Sequence, residues 1–98
     1  MPKAYVIYQE DIKDEDGMNA YAAAAMATFP GSGGTIGGFD DNVEVLEGTW
    51  PGNRTVILEF DSVEAARAWY NSPAYQAAIP LRQAAADGNV AIVAGFGA

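Results

Sequence analysis

Residues Glu47 to Arg82 read EGTWPGNRTVILEFDSVEAARAWYNSPAYQAAIPLR, and the seven from Arg54 to Phe60 (RTVILEF) decide the fold. Neighbouring residues of a strand point to opposite faces, so the adjacent pair Ile57 and Leu58 puts apolar side chains on both. That is the signature of a strand covered on both sides. Pro51-Gly52-Asn53 is a turn leading into it. Asp61 with Glu64 three residues on resembles a capping box that opens a helix. Val63, Ala66, Trp69 and Tyr70 give the helix its inward stripe. Asn71-Ser72-Pro73 then breaks it, Ser72 serving as cap and Pro73 beginning a second segment. Pro80 lies inside that segment and is expected to kink it, since it removes a helix hydrogen bond. Arg54 and Glu59 stand out, because charges on a buried strand are costly unless they are paired or used.

Working outward, Ala4 to Tyr8 (AYVIY) reads as a strand. Asp14 is a suitable N-cap, with acidic residues in the first turn that suit the helix dipole. Met18, Tyr21, Ala22, Ala25, Met26 and Phe29 recur at helical spacing, and Pro30 to Gly34 ends the helix. A second strand is expected over Thr35 to Phe39, a turn at Asp40-Asp41-Asn42, and a further strand over Val43 to Leu46. Asp87-Gly88-Asn89 is expected to turn into a last strand, Val90 to Val93. The order is β-α-β-β-α-β within one domain spanning 1–98, which predicts an α+β ferredoxin-like fold: an antiparallel sheet with both helices on one face. Val6 with Ile7, and Ile92 with Val93, repeat the two-faced pattern. The uncovered face is therefore expected to meet a second copy of the chain, giving a homodimer.

Thirteen acidic residues stand against five basic ones, a formal charge of −8. Nucleic-acid backbones and anionic membrane surfaces attract Lys and Arg, so neither is an expected partner. Histidine and cysteine are both absent. This excludes disulfides, cysteine nucleophiles, His-based triads, Cys/His zinc sites and a haem ligated by a protein histidine. A general acid or base must come from Asp, Glu, Tyr or Lys. The start of the chain reads as neither a signal peptide nor a membrane span, and the expected location is the cytoplasm.

The combination Val45-Leu46-Glu47-Gly48-x-Trp50, Arg54-Thr55-Val56-x-x-Glu59-Phe60 and Ala68-Trp69-Tyr70-Asn71-Ser72-Pro73-x-Tyr75-Gln76 resembles the DUF1330 family of small bacterial proteins, over essentially the whole chain. The resemblance implies the dimeric α/β barrel, in which two ferredoxin-like subunits bring their sheets together. Families sharing that barrel include cofactor-free monooxygenases, lactone isomerases and haem-dependent chlorite-degrading enzymes. Pro80 and the Gly-rich stretch from Gly31 to Gly38 depart from the usual look of the family, and either could reshape a pocket wall.

Arg54 and Glu59 are five apart, so a regular strand directs them to opposite faces. Arg54 could stabilise developing negative charge and Glu59 could remove a proton; otherwise Arg54 sits at a strand end in solvent and Glu59 pairs with a helix residue such as Arg82. Trp50 and Tyr70 could wall a pocket, with Glu47 at its mouth and Tyr8 donating a hydrogen bond into it, as Tyr21 could also do. Trp50 could equally anchor a subunit interface, and the tyrosines could be core. The Gly-rich stretch follows a helix and lacks Lys, so it reads as a connector and not a phosphate loop. Asp11, Asp14, Glu15 and Asp16 fail the calcium-loop spacing and read as a solvated helix start. No metal and no cofactor are expected. Two functions follow. One is a small-molecule enzyme or binding protein, performing proton transfer or cofactor-independent oxygenation on a small carbonyl or aromatic compound. The other is a non-catalytic dimeric structural or regulatory module.

Overall fold

The elements follow one another as β1 (Ala4–Ile12), α1 (Glu15–Met26), β2 (Thr35–Asp40), β3 (Arg54–Phe60), α2 (Val63–Tyr70), α3 (Pro73–Ala85) and β4 (Ala86–Ala94) in a computed structural model that describes residues 2–97. They form a four-stranded sheet of order β2-β3-β1-β4 in which every neighbouring pair is antiparallel. This is the expected α+β, ferredoxin-like arrangement, with the second helix divided into α2 and α3.

Strand parity builds the core. Ala4, Val6 and Tyr8 of β1 stand opposite Phe60, Leu58 and Val56 of β3, all on the helix-covered face. Against them pack Met18, Tyr21 and Ala25 of α1, Ala66 and Trp69 of α2, and Tyr75, Ala78 and Ile79 of α3. Trp69 is central: its ring lies 4.0 Å from that of Tyr75 and 5.3 Å from that of Phe60. Its indole N–H donates to Thr28 Oγ1 at 2.8 Å, so the buried ring leaves no donor unmet. Full burial of side chains such as Phe60 and Val6 stabilises the fold by roughly 1.5–3 kcal/mol each. The other face carries Tyr5, Ile7, Ile57 and Val93, with no helix or strand among the described residues laid over them.

Asp14 caps α1, accepting from the Gly17 N–H at 3.2 Å. Ser72 caps α3 with Pro73 in its first turn. Three expectations need correction. Ser62, not Asp61, caps α2, its hydroxyl accepting from the Ala65 N–H; Asp61 instead lies 3.7 Å from Lys3. Val43 to Leu46 is irregular, because β2 is an edge strand and no further strand pairs with this segment. Asp87-Gly88-Asn89 is not a turn but the start of β4, which leaves α3 directly at Ala86 and pairs with Ile12, Asp11, Glu10 and Gln9. The join is held by the Ala85 carbonyl, which accepts from both the Lys13 and Asp14 N–H groups at 2.9 and 3.0 Å. Pro80 lies within α3 as expected and is exposed there, where water can reach the carbonyl that its missing N–H leaves free.

Candidate functional site

Tyr8 and Glu10 are two apart on β1 and so share the helix face. Tyr75 and Arg82 are seven apart on α3, two helical turns along one buried stripe. Tyr21 reaches the same place from α1. The Tyr75 hydroxyl, wholly buried, lies 2.7 Å from both the Tyr8 and Tyr21 hydroxyls, making a three-phenol chain. The Arg82 guanidinium packs against the outer two rings, 5.7 Å from the centre of Tyr8 and 5.9 Å from that of Tyr21.

Glu10 is 2% exposed and Arg82 6%. Among the described residues neither makes a salt bridge or a side-chain hydrogen bond, and Glu10 Oε2 and Arg82 Nε are buried with no partner. Burial pushes the Glu10 carboxyl above the ordinary carboxylate range, against the lowering pull of Arg82 and then of Arg54. Burial, and secondarily the adjoining phenols, hold Tyr8 and Tyr21 well above the usual phenol range. Both stay protonated at neutral pH and serve as hydrogen-bond donors or acceptors, not bases. Burial opposes the charge on Arg82, but the surrounding phenols and Glu10 outweigh it and keep the guanidinium above its ordinary value.

Beside this cluster, between α1 and the sheet, is a cavity of about 100 Å³. Tyr8, Glu10, Tyr21 and Arg54 line it along with apolar side chains that include Met18, Val56, Leu58 and Trp69. Met26, Ile36 and Phe39 also line it and are themselves exposed, which places the mouth between α1 and the edge strand β2. Arg54 is fixed there by Asp41, with Nε to Oδ1 at 2.5 Å and Nη2 to Oδ2 at 2.9 Å, and by the Phe39 ring, 4.6 Å from its guanidinium carbon.

The residues singled out from sequence divide among three places. Tyr8 and Arg54 meet at this cavity. Glu47 and Trp50 line a wider depression of about 580 Å³ on the open face, under the β2–β3 connection, where the Trp50 indole donates to Thr55 Oγ1 at 2.8 Å. Glu59 is on the open face as its spacing from Arg54 requires, and its partner is Lys3 at 3.5 Å and not Arg82. Tyr70 packs 5.5 Å from the ring of Tyr75 without lining the cavity. Glu10 and Arg82 were not among the candidates, although Glu10 stands two residues beyond Tyr8 and Arg82 continues the Tyr75–Ala78–Ile79 stripe. No group of three Asp or Glu side chains among the described residues is arranged to hold a metal ion. No helix among them is long and apolar enough to cross a membrane.

Comparison with known proteins places the chain in a family. The domain of unknown function DUF1330 matches residues 3–96. The chain belongs to the DUF1330 family. No curated protein matches it. A protein of unknown function from Rhodopseudomonas palustris is similar in structure, with a TM-score of 0.79 and 18% identity over 99% of this chain and 85% of that one. A dimeric protein of unknown function and ferredoxin-like fold from Bacteroides fragilis gives 0.63 and 18% over 96% of each chain. SnoaB from Streptomyces nogalater, a cofactor-independent oxygenase, gives 0.66 and 11% over 100% of this chain and 97% of its own. At these identities the likeness carries the fold and leaves the activity to the site.

Proposed function

We propose that this DUF1330 protein binds a small, largely apolar carbonyl compound in the cavity between α1 and the sheet, and that Glu10 moves a proton on it. One observation carries the reading: a carboxylate buried to 2% exposure lines the cavity with no protein partner. Desolvation makes such a carboxylate a stronger base than one in water. Arg54, across the strand pair, supplies positive charge as negative charge develops on the substrate. The proton-transfer role considered for Glu59 falls to Glu10 in this cavity, since Glu59 is on the other face beside Lys3. Oxygenation would add dioxygen as a co-substrate after the same deprotonation; SnoaB, a cofactor-independent oxygenase, shares the fold.

The test is hydrogen–deuterium exchange in D₂O, followed by NMR, on a panel of small enolisable ketones and aldehydes. Wild-type protein is expected to exchange the carbon acid next to the carbonyl. Glu10→Gln is expected to lose about 10²-fold or more of that rate, the usual scale of a general base, with binding retained. Exchange that survives Glu10→Gln would sink the assignment. Neither binding nor exchange by the wild type would favour the non-catalytic dimeric module.

We also propose that a second copy of the chain covers the open face, closing the dimeric barrel. Ile7, Ile57, Val93 and Trp50 expose apolar surface there without cover, and Val93 and Trp50 are 44% and 43% exposed. The Bacteroides fragilis neighbour is a dimer with this fold. Sedimentation equilibrium is expected to give a dimer for the wild type and a monomer for Ile57→Asp; a monomeric wild type would overturn the assembly.

A further inference from the structure

Three phenolic O–H groups share two short hydrogen bonds, Tyr8 to Tyr75 and Tyr21 to Tyr75, and the outer two hydroxyls approach each other without forming a third short bond. Each hydroxyl carries one proton, so the two short bonds use two of them and one O–H is left without a well-placed protein acceptor. Tyr75 can give its proton to either neighbour, so rotation of the hydroxyls moves the spare O–H between the Tyr8 and Tyr21 ends. Two more groups nearby are unmet: the Nε–H of Arg82 and the Oε2 of Glu10. The unmet set is therefore two donors and one acceptor, on side chains that are all at least nine-tenths buried. Leaving such groups unpaired is costly. Tyr8, Tyr21 and Glu10 line one cavity, and Arg82 packs against both outer phenol rings.

We infer that the ligand of this cavity is a phenol or an enol, whose one oxygen accepts the spare tyrosine O–H and delivers its own proton to Glu10. The inference rests on reading the cavity as a ligand site and names the class of compound that fits it. In the transfer, the ligand O–H bond breaks, an O–H bond forms on the Glu10 carboxylate, and the electron pair stays on the ligand oxygen. No further reactant enters. Arg82 is a positioning residue: it polarises the phenols it packs against and so strengthens the donor that meets the oxyanion. An engineered apolar cavity of about 150 Å³ takes benzene. The roughly 100 Å³ here, open past Met26, Ile36 and Phe39, suits one small ring with any larger part protruding.

The experiment measures binding of phenol, anisole, toluene and a series of fluorophenols of graded acidity to the full chain by NMR titration. Phenol is expected to bind at least tenfold tighter than anisole, which accepts but cannot donate, and than toluene, which does neither. Affinity is expected to rise with fluorophenol acidity. Arg82→Met should flatten that rise with toluene binding unchanged, a separation that a merely structural role would not produce. Where Arg82→Met fails to fold, the ultraviolet spectrum of wild-type-bound fluorophenol decides: a phenolate band at a pH where the free compound is neutral supports the inference, and a neutral-phenol spectrum overturns it. Equal affinity for phenol and toluene overturns the inference while the cavity stands as an apolar ligand site, its polar groups met by water. Binding of none of the compounds removes both.

Discussion

Glu10 and Arg54 are direct partners across β1 and β3, both turned to the helix face and both lining the cavity, yet no salt bridge joins them. Arg54 is committed to Asp41 and to the Phe39 ring, which leaves the Glu10 carboxylate buried without a partner of its own. The strand register supplies the encounter, and the edge loop takes the arginine away from it.

A pH dependence follows. Folding raises the Glu10 pKa, mainly through burial, so between the ordinary glutamate value of about 4.3 and the folded value the native state holds more protons than the unfolded state. Stability associated with this group is then full in acid and declines as pH rises through that window. Glu10→Gln mimics the protonated form. Urea denaturation is expected to show the variant equal to wild type near pH 4 and more stable at pH 8. A variant less stable than wild type at pH 8 would contradict the unpaired-carboxylate picture.

Tyr75 holds the phenol chain together, so its hydroxyl matters more than either of the outer ones. Tyr75→Phe leaves both outer hydroxyls without the central oxygen, at about 1–3 kcal/mol for each one unsatisfied. Tyr21→Phe keeps the Tyr8–Tyr75 bond and is expected to cost less. Chemical denaturation of the two variants gives the comparison, and equal losses would mean that the bonds do not act as a chain.

Much of the fold could be read from residue parity: β1 and β3, the cap at Ser72, and the placement of Arg54 and Glu59 on opposite faces. The heart of the site could not. Glu10 lies beyond the strand expected over Ala4 to Tyr8 and next to the acidic residues that read as a solvated helix start, and its pairing with Arg54 of β3, completed by its pairing with Gly88 of β4, shows that β1 continues far enough to carry it inward. That pairing depends on α3 running straight into β4, a tertiary fact with no local signal. Pro80 suggests a kink between Tyr75 and Arg82, and only the helix's buried residues show that the two share one inward stripe. Val43 to Leu46 has strand composition, but a strand needs a neighbour, and the sheet already ends at β2.

The backbone around Glu10 is closed by a glycine. Gly52 has φ +83°, and a Cβ there would run into the Glu10 carbonyl; the next residue, Asn53, donates its N–H to that same oxygen at 2.7 Å. Gly48 has a similar φ of +75° but open space around it. Alanine in this left-handed region costs roughly 1–2 kcal/mol at either position. Gly52→Ala is expected to lose at least twice as much stability as Gly48→Ala, and the excess measures the close approach alone. Equal losses would show that the loop can move away from Glu10 at no cost.

Asp41 carries the opposite pH signature from Glu10. Its hydrogen bond from Arg54 holds its carboxyl below the ordinary range, with burial acting the other way. A depressed folded pKa contributes stability above the unfolded aspartate value, near 3.9, and that contribution is lost as pH falls through the folded value. Asp41 is 53% exposed, so solvent screening keeps the pair within the surface range of about 0.2–1 kcal/mol. Asp41→Asn is expected to lose that much at pH 7 in low salt, less in 1 M salt, and little below pH 3. The consequence for the cavity is larger than the stability change: releasing Arg54 lets its guanidinium turn to Glu10, its partner across the strands. Phenol affinity, measured by the same titration, is then expected to fall in Asp41→Asn as the carboxylate gains a protein partner. Unchanged affinity would mean that Phe39 alone suffices to hold Arg54 in place.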